Sequence, residues 1–552
     1  MRALVGLLLA ALPVLGQAAD PAPITLRDRE VIVFYGDSIT EFNQWTAVVE
    51  AFFITRFPDK DLSIYNYGWA GENTYGGEGR FVRDVVPLKP TLILSAYGMN
   101  DGGYVAKPDA GIRAHYLKSQ GLLADAVKAT GARQVLLTTS PTDPSRSQDH
   151  RPYNDALGPM ADDLIAFGVQ REIASIDLFR PMLAVQTTAQ QADPTFTMVP
   201  DWIHPDAVGG LVMAYEVLKR FETPSSLGRI DINGSKVTAG GGAELKEMTS
   251  GADGFSGQLS LARLPCPVPR AARPALKLVP FQEQLNWLEL RVAGLVPTGV
   301  YDVMSGDREL VTVSGAQLAA GIDLAQCPAA PWGERAQRIF ELGQVRHRHH
   351  LEAWRRLDLA QGLAAGEAIR TAARTYTNAL AQAMRAEAVP GVWPLSVRRS
   401  DNVLINRIEL SPLTPYTGDF AAVGAAESAP DTVKWTARPF DEQLDLAKVF
   451  GSAGVNCQVY ARLVLEADRA CTLRLASGSD EGLIISLGGK RHLSVDLCRG
   501  LRPEEDHCEV PLVKGRNTLI MRINQSSGGF GLALKATVVG PAQVVQVPPR
   551  AP

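Results

Sequence analysis

Short apolar segments alternate with longer amphipathic segments from residue 30 to about 220, and this alternation constrains the fold more than any other feature of the sequence. Segments typical of buried strands are EVIVFYG, LSIYNYG, TLILSAYG, RQVLLTTS and REIASIDLF. Segments with helical spacing are WTAVVEAFFITRF, IRAHYLKSQGLLADAVKATG and AVGGLVMAYEVLKRF. Strands separated by helices predict a parallel sheet with helices on both faces, that is, a three-layer α/β/α domain.

The first predicted strand ends in Gly36, Asp37 and Ser38, within VIVFYGDSIT. A turn is one explanation, because all three residue types favour turns. A nucleophile is the other, because parallel sheets bind ligands at the carboxyl ends of their strands, and a serine there precedes a helix. A serine hydroxyl needs a base at neutral pH, and histidine is the usual one.

His204 is the candidate base among the histidines of the first 220 residues. It lies in PDWIHPDAVG, three residues after Asp201, whose carboxylate can orient the imidazole and stabilise its protonated form. His115 lies inside a predicted helix, and His150 lies in a polar loop. Because Asp-x-x-His also occurs without a catalytic role, the pair predicts catalysis only together with Ser38.

Two further residues follow predicted strands and are candidates for an oxyanion hole. Gly71 lies in GWAGENT and Asn100 in AYGMND, where a backbone N–H and a carboxamide can stabilise a developing oxyanion. A turn glycine and a helix-capping asparagine are the alternatives. Residues that flank the motifs are candidates for the substrate pocket: Asp37, Trp69, Tyr97, Met99 and Trp202.

The four motifs together resemble those of the SGNH, or GDSL, hydrolase family over about residues 30 to 220. GDSIT resembles the first block of the family with Ser38 as nucleophile, AGENT the second with Gly71, GMND the third with Asn100, and DWIHP the last with Asp201 and His204. The resemblance implies a flavodoxin-like fold and serine ester hydrolysis that needs no metal or other cofactor. It also implies an oxyanion hole made of the Ser38 N–H, the Gly71 N–H and the Asn100 side chain.

The rest of the chain predicts further domains after a catalytic domain at 20–224. We expect a small β-rich insert or extension at 225–331 and a helical hairpin at 332–400 that packs on the catalytic domain. Successive strand patterns such as CQVYARLVLEA and NTLIMRINQ predict an all-β sandwich at 401–552. Through LASGSDEGLIISLGGK this last region resembles protective-antigen-type and lectin-like modules, which implies either carbohydrate binding or mere support of the catalytic domain.

The run HRHH in the predicted hairpin has two interpretations. His347 and His350 are one helical turn apart, as metal ligands can be, but Glu352 is the one carboxylate nearby. The adjoining WRRLD favours a solvated basic helix face, which is the interpretation that we prefer.

The start of the chain, MRALVGLLLAALPVLGQAAD, has the layout of a cleavable signal peptide at 1–19, with an uncleaved anchor as the alternative. We therefore expect a secreted or periplasmic protein. The six cysteines suit an oxidising compartment, and proximity in sequence predicts the pairs Cys457–Cys471 and Cys498–Cys508. Buried thiols are the alternative.

A formal net charge of −4 with scattered basic residues argues against nucleic acid as a partner, and no later segment predicts membrane insertion. The signal peptide, the hydrolase motifs and the β module together predict an exported esterase that removes O-acetyl groups from a polysaccharide. The alternatives are a lipase, lysophospholipase or thioesterase of the same family, and a glycan-binding protein with an inactive hydrolase domain. The sequence leaves the oligomeric state open.

Overall fold

The computed structural model describes residues 22–149, 151–223, 226–251, 254–327, 329–357, 366–416, 418–451, 454–540 and 542–548. The predicted signal peptide and His150 lie outside these described residues. The chain divides into two compact units, of which the first comprises Met1–Ser225, Cys266–Leu285 and Arg338–Ala388. The second comprises Ser226–Pro265, Asn286–Gln337 and Val389–Pro552. Within the described ranges, no helix combines the length and the hydrophobicity that crossing a membrane requires.

A parallel sheet forms the centre of the first unit. Its strands are β1 (Val31–Gly36), β2 (Ser63–Gly68), β3 (Leu92–Ala96), β4 (Arg133–Leu137) and β5 (Ala174–Ile176). Their order is β2-β1-β3-β4-β5, the flavodoxin-like order, in which the direction of winding reverses between β1 and β3. Each segment predicted as a strand contains one of these strands, so the predicted α/β fold is confirmed. The reversal opens a crevice at the carboxyl ends of β1 and β3.

Helices cover both faces of this sheet, which leaves the strands buried on both sides. On β1, Val33 and Tyr35 pack into one cluster with Phe81, whereas the ring of Phe34 lies 5.1 Å from that of Trp45 on the opposite face. The helices are α1 (Ser38–Glu41), α2 (Gln44–Arg56), α3 (Thr74–Asp84), α4 (Ala110–Ala129), α5 (Asn154–Arg171), α6 (Phe179–Ala192), α7 (Ala207–Leu218) and α8 (Phe281–Leu285).

The second unit begins with two β-sheets, of strand order β13-β10-β6-β7 and β12-β11-β14-β9-β8. Their strands are β6 (Ser226–Asn233), β7 (Lys236–Gly240), β8 (Ala243–Gly251), β9 (Gly254–Leu261), β10 (Trp287–Ala293), β11 (Val300–Ser305), β12 (Arg308–Ser314), β13 (Ile322–Asp323) and β14 (Gly391–Arg399). Helix α9 (Gly315–Ala320) follows β12. The predicted β-rich character of this region is thus present, and β11 and β12 form an antiparallel hairpin.

The predicted helical hairpin is shorter than expected from the sequence. It consists of α10 (Pro331–Glu352), a π-helical turn at Ala353–Leu357 and α11 (Gly366–Ala388). The end of the predicted 332–400 segment is instead strand β14, which pairs with β9 and β11. Because β14 lies between β9 and β11, the sheet of the predicted insert at 225–331 is completed by a strand from outside the insert.

The interpretation of HRHH as a solvated basic helix face is wrong for the face of α10 that carries His347 and His350. Arg346 is buried and forms an ion pair with Glu50 of α2, and the ring nitrogens His347 Nδ1 and His350 Nε2 are buried. Only the intervening Arg348 and His349 are exposed. Helical periodicity explains this result, because residues 346, 347 and 350 share one face of α10.

The C-terminal region is a sandwich of two antiparallel sheets around one apolar core, as predicted. The core takes Val459 and Leu463 from one sheet and Leu473 and Leu475 from the other. The strands are β15 (Arg407–Leu410), β16 (Thr414–Pro415), β17 (Thr436–Pro439), β18 (Gln443–Asp445), β19 (Cys457–Ala467), β20 (Cys471–Ser479), β21 (Leu483–Leu487), β22 (Lys490–Val495), β23 (Asp506–Leu512), β24 (Gly515–Gln525), β25 (Gly531–Val539) and β26 (Val544–Gln546), with the short helices α12 (Ala425–Ser428) and α13 (Leu446–Phe450).

Both predicted disulfides are wrong, since all six cysteines are thiols. Cys457 and Cys471 start β19 and β20, so the length of β19, about 30 Å, separates Cys457 from the turn that precedes Cys471. Cys508 packs against the sandwich core, whereas Cys498 is exposed beside the carboxylate of Glu481. Proximity in sequence therefore does not bring either pair of sulfur atoms together.

Candidate active site

Ser38 is the first residue of α1, directly after the carboxyl end of β1. Asp37 is the N-cap, and its Oδ1 accepts a hydrogen bond of 3.0 Å from the Ile39 N–H. Gly68, at the end of β2, allows this close packing, because a Cβ there would lie 2.2 Å from the Glu41 nitrogen. The Ser38 side chain is held at the crevice between β1 and β3, where the sequence predicted a nucleophile.

His204 and Asp201 lie in the turn that precedes α7. Asp201 Oδ1 accepts from the backbone N–H groups of Ile203 (3.1 Å) and His204 (2.7 Å), and Asp201 Oδ2 is 2.7 Å from His204 Nδ1. His204 Nε2 is 2.8 Å from Ser38 Oγ. Because an ionised carboxylate only accepts, Nδ1 carries the imidazole proton and Nε2 can accept the proton of Ser38.

The β2–α3 loop, residues 69–73, contains Gly71 and is held by one backbone hydrogen bond to β1 and one within the loop. The Trp69 N–H donates to the Gly36 carbonyl at 2.8 Å, and the Glu72 N–H donates to the Trp69 carbonyl at 3.1 Å. Gly71 is exposed and has φ 78°, a conformation that side-chain-bearing residues rarely adopt. Among the described residues, no acceptor is found for the Gly71 N–H.

Asn100 follows β3 and faces the same loop. Its Nδ2 donates to the Glu72 carbonyl at 2.9 Å, and its Oδ1 accepts from the Tyr104 hydroxyl at 2.6 Å. These two bonds orient the carboxamide and leave one of its N–H groups for another acceptor. Ser38, Gly71 and Asn100 therefore follow three adjacent strands at one edge of the sheet.

The predicted pocket residues separate into two groups. Tyr97 and Met99 are buried at 1% and 0% exposure, so they are core residues and do not line a pocket. Asp37 is also buried, beneath the nucleophile as its helix cap. Trp69 and Trp202 are half-buried beside the motifs. Successive side chains of a strand point to opposite faces. A position beside a motif therefore does not by itself predict whether the side chain there is exposed.

Burial changes the pKa values of carboxyl groups around Ser38. It raises the pKa of Asp37 to about 8 and that of Asp101 to about 6, in spite of the hydrogen bonds that each accepts. For Asp201, partial burial raises the pKa, but the backbone and imidazole N–H groups of His204 outweigh this effect and the pKa is lowered. At neutral pH Asp201 is therefore ionised, whereas Asp37 retains its proton.

Two aromatic residues at the site were missed by the sequence analysis. The ring of Phe42, 49% exposed, lies 4.7 Å from the imidazole of His204, and Tyr104 contacts both Asn100 and the ring of Trp202. Neither belongs to a motif, although Phe42 follows GDSITE directly. Of the other histidines, His115 is exposed and lies against Tyr75. The described part of the chain contains no group of three or more His, Cys, Asp or Glu residues arranged to hold a metal ion.

Comparison with known proteins agrees with this fold. Residues 34–210 match the GDSL-like lipase/acylhydrolase family. A solved gut microbial diltiazem-metabolizing enzyme, BT4096, is 23% identical with a TM-score of 0.60, over 68% of this chain and 99% of its own. Axe2, an acetylxylan esterase from Geobacillus stearothermophilus, is 18% identical with a TM-score of 0.28, over 35% of this chain and 94% of its own. LAE5, an α/β hydrolase enzyme from the metagenome of Lake Arreo, Spain, is 22% identical with a TM-score of 0.29, over 35% and 96%. No curated protein matches the chain.

The fold and the family match define the class of this protein as an α/β ester hydrolase. The match to the GDSL-like lipase/acylhydrolase family covers residues 34–210, about a third of the chain. The resemblance inferred from the four motifs is thereby confirmed, and the likeness to BT4096 extends the shared fold beyond this segment.

Proposed function

We propose that this chain is an exported serine esterase that removes O-acetyl groups from a polysaccharide through an acyl-enzyme intermediate. Ser38 is the nucleophile, His204 the general base and acid, and Asp201 the residue that orients His204. The Ser38 N–H, the Gly71 N–H and the Asn100 carboxamide form the oxyanion hole. The single observation that supports this assignment best is the unbroken chain of contacts from Asp201 through His204 to Ser38, at 2.7 Å and 2.8 Å.

The proposed reaction has two acyl-transfer steps. His204 Nε2 takes the Ser38 proton as Oγ attacks the ester carbonyl, and the resulting oxyanion accepts hydrogen bonds from the three donors. His204 then protonates the leaving alcohol, which departs as the acyl-enzyme forms. A water molecule, deprotonated by His204, attacks the acyl-enzyme, and Ser38 recovers its proton as the carboxylic acid leaves.

The electrostatic state of Asp37 supports the same assignment. Asp37 lies one residue from Ser38, and its raised pKa of about 8 keeps it neutral at pH 7. A neutral carboxyl does not repel the oxyanion that the proposed mechanism develops beside it. Asp201, with its lowered pKa, supplies negative charge on the far side of the imidazole, where an imidazolium is stabilised.

The polysaccharide substrate rests on less direct observations. The N-terminal signal pattern favours export, and a β-sandwich joined to a hydrolase domain is typical of enzymes that act on glycans. Phe42, half-exposed against His204, and Trp202 offer aromatic surface beside the nucleophile. Flat aromatic side chains with few rotatable bonds suit the apolar faces of sugar rings.

The catalytic assignment is tested by kinetics on nitrophenyl acetate. Ser38→Ala and Asp201→Asn are each expected to lower kcat by about three orders of magnitude or more. The matched control is Asp206→Asn, because Asp206 stands in the same turn but caps α7 through Val208 and Gly209. Its activity is expected to equal that of the wild type, since asparagine is also a good cap. Unimpaired activity of Ser38→Ala would refute the assignment.

The substrate is tested by measuring acetate release from acetylated xylan, pectin and peptidoglycan, beside hydrolysis of short- and long-chain nitrophenyl esters. Acetate release from a polysaccharide, lost in Ser38→Ala, is the expected result. A preference for long acyl chains would favour a lipase, lysophospholipase or thioesterase instead. Absence of hydrolysis together with retention on a glycan column would favour an inactive glycan-binding protein.

A further inference from the structure

Glu41 connects the nucleophile helix to the β2–α3 loop. It is the last residue of α1, which begins at Ser38, and its side chain is 11% exposed. The Ala70 N–H donates a hydrogen bond to Glu41 Oε2, and Ala70 directly precedes Gly71. The position of the Glu41 carboxylate therefore sets the position of the peptide unit beside the Gly71 N–H.

Arg355 holds this carboxylate from the helical hairpin. Arg355 Nη1 lies 2.8 Å from Glu41 Oε1 and Nη2 lies 2.6 Å from Glu41 Oε2, a bidentate pair. The same guanidinium lies 4.3 Å from the ring centroid of Trp69, the first residue of the β2–α3 loop. About two helical turns before Arg355, His347 Nε2 lies 3.0 Å from the Glu41 carbonyl. One arginine thus contacts both the loop and the carboxylate that binds the loop.

The energetics make this arrangement specific to arginine. Both side chains of the pair are mostly buried, at 23% and 11% exposure, so neither charge is well solvated. Among the described residues, the Ala70 N–H is the other group that donates to the Glu41 carboxylate, so removing the guanidinium would leave this carboxylate buried with one donor. Such a group rearranges toward solvent. A bidentate and stacked arginine is not replaced equally by lysine, whose ammonium is a point charge.

We propose that Arg355 is a positioning residue for the oxyanion hole, acting through Glu41 and Trp69 on the β2–α3 loop. Arg355 lies outside residues 34–210, so the catalytic geometry depends on a segment that does not belong to the matched family domain. The π-helical turn Ala353–Leu357 carries Arg355, and such turns recur at functional sites. This inference rests on the proposed function.

The test compares Arg355→Met with Arg385→Met on nitrophenyl acetate. Arg385 is also an arginine of the hairpin that contacts the first 225 residues. Its partners are Asp61 and the Leu62 carbonyl, which precede β2, whereas the β2–α3 loop follows β2. We expect Arg355→Met to lower kcat about 10- to 100-fold with KM changed less than about threefold, because loss of a single oxyanion donor costs about 100-fold or more. Arg385→Met is expected to keep the wild-type kcat.

A boronic acid, whose boron becomes tetrahedral when Ser38 Oγ adds to it, gives a readout that a merely structural role would not change. Its affinity is expected to fall by the same factor as kcat/KM in Arg355→Met, because both depend on the oxyanion donors. Arg355→Lys is expected to recover part of the loss, and Glu41→Gln to resemble Arg355→Met without adding to it in the double variant. These two variants keep the test decisive if Arg355→Met does not fold.

The outcomes that would overturn the inference differ from those that would overturn the proposed function. A wild-type kcat in folded Arg355→Met and Glu41→Gln, an equal loss in Arg385→Met, or an unchanged boronate affinity would refute the positioning role while leaving the esterase assignment intact. A wild-type protein that hydrolyses no ester would refute the proposed function, and with it the role of Arg355.

Discussion

Asp37 illustrates at the scale of one residue how a structural group shapes the site's electrostatics. A carboxyl group is a good N-cap because it accepts backbone hydrogen bonds, but burial here makes its ionised form unfavourable. The result is a neutral cap beside Ser38 at pH 7. The same residue type at position 201 is ionised, because its turn supplies several N–H donors.

The raised pKa of Asp37 predicts how stability depends on pH. A folded-state pKa of about 8, above the ordinary 3.8, stabilises the protein in acid, and this stability is lost as the pH rises from about 4 through 8. Asp37→Asn keeps the cap but cannot ionise. Its unfolding free energy relative to wild type is therefore expected to increase between pH 5 and 8 by about 1 kcal/mol or more.

Denaturation curves of Asp37→Asn and wild type at several pH values measure this difference. Asp109→Asn is the matched control, because Asp109 caps α4 through Ile112 but is exposed. The Asp109→Asn difference from wild type is expected to stay nearly constant over the same range. Parallel curves for wild type and Asp37→Asn would show that Asp37 does not carry a proton in the folded protein.

At the scale of elements, the hairpin of α10 and α11 supplies buried polar groups to the first unit. His350 lies against the rings of Tyr67 and Trp354, and its Nε2 is buried without a partner among the described residues. Burial, together with the smaller effect of the nearby Arg346, lowers the pKa of His350 to about 3 and that of His347 to about 4. The hairpin therefore packs with both imidazoles neutral.

The hairpin is consequently expected to be sensitive to acid. Because the folded-state pKa values lie below the ordinary 6.5, the unfolded state binds more protons, and stability is lost as the pH falls from 6.5 toward 4. His350→Phe keeps the aromatic contacts, and a cavity of about 230 Å³ beside residue 350 provides room. At pH 5 this variant is expected to melt about 2 °C or more above wild type, with a smaller difference at pH 8.

His349→Gln is the control for this prediction. His349 is on the same helix but is exposed, with its ring against Tyr376. Its melting temperature is expected to follow that of wild type at both pH values. An identical pH dependence for wild type and His350→Phe would contradict a neutral, buried His350.

At the scale of the whole molecule, neither unit is continuous in sequence. The chain leaves the first unit after residue 225, returns to it twice, and completes the second unit with 389–552. Strand β14 completes a sheet whose other strands all precede β14 by more than seventy residues of chain. This long-range pairing joins distant segments within the second unit, and no disulfide contributes to it, because all six cysteines are thiols.

Thiol titration tests this state of the cysteines. Protein denatured without reductant is expected to react with six equivalents of a disulfide reagent. In the native protein the exposed Cys498 is expected to react first, whereas burial raises the pKa of the Cys327 thiol to about 12 and protects it. A titre of four or two equivalents would restore one or both predicted disulfides.

Local sequence patterns were enough to predict the α/β architecture, the all-β C-terminal region and the family resemblance of residues 34–210, because strand and helix periodicity and turn chemistry are local properties. It also predicted that Ser38, Gly71 and Asn100 meet at one sheet edge, since successive parallel strands end there. Their catalytic roles, export and the polysaccharide substrate stay predictions. The three-dimensional structure was needed to show the pairing of Arg355 with Glu41, the place of β14, the reduced cysteines and the burial of Tyr97. These depend on contacts between residues far apart in the chain, and no local pattern encodes which distant segments pack together.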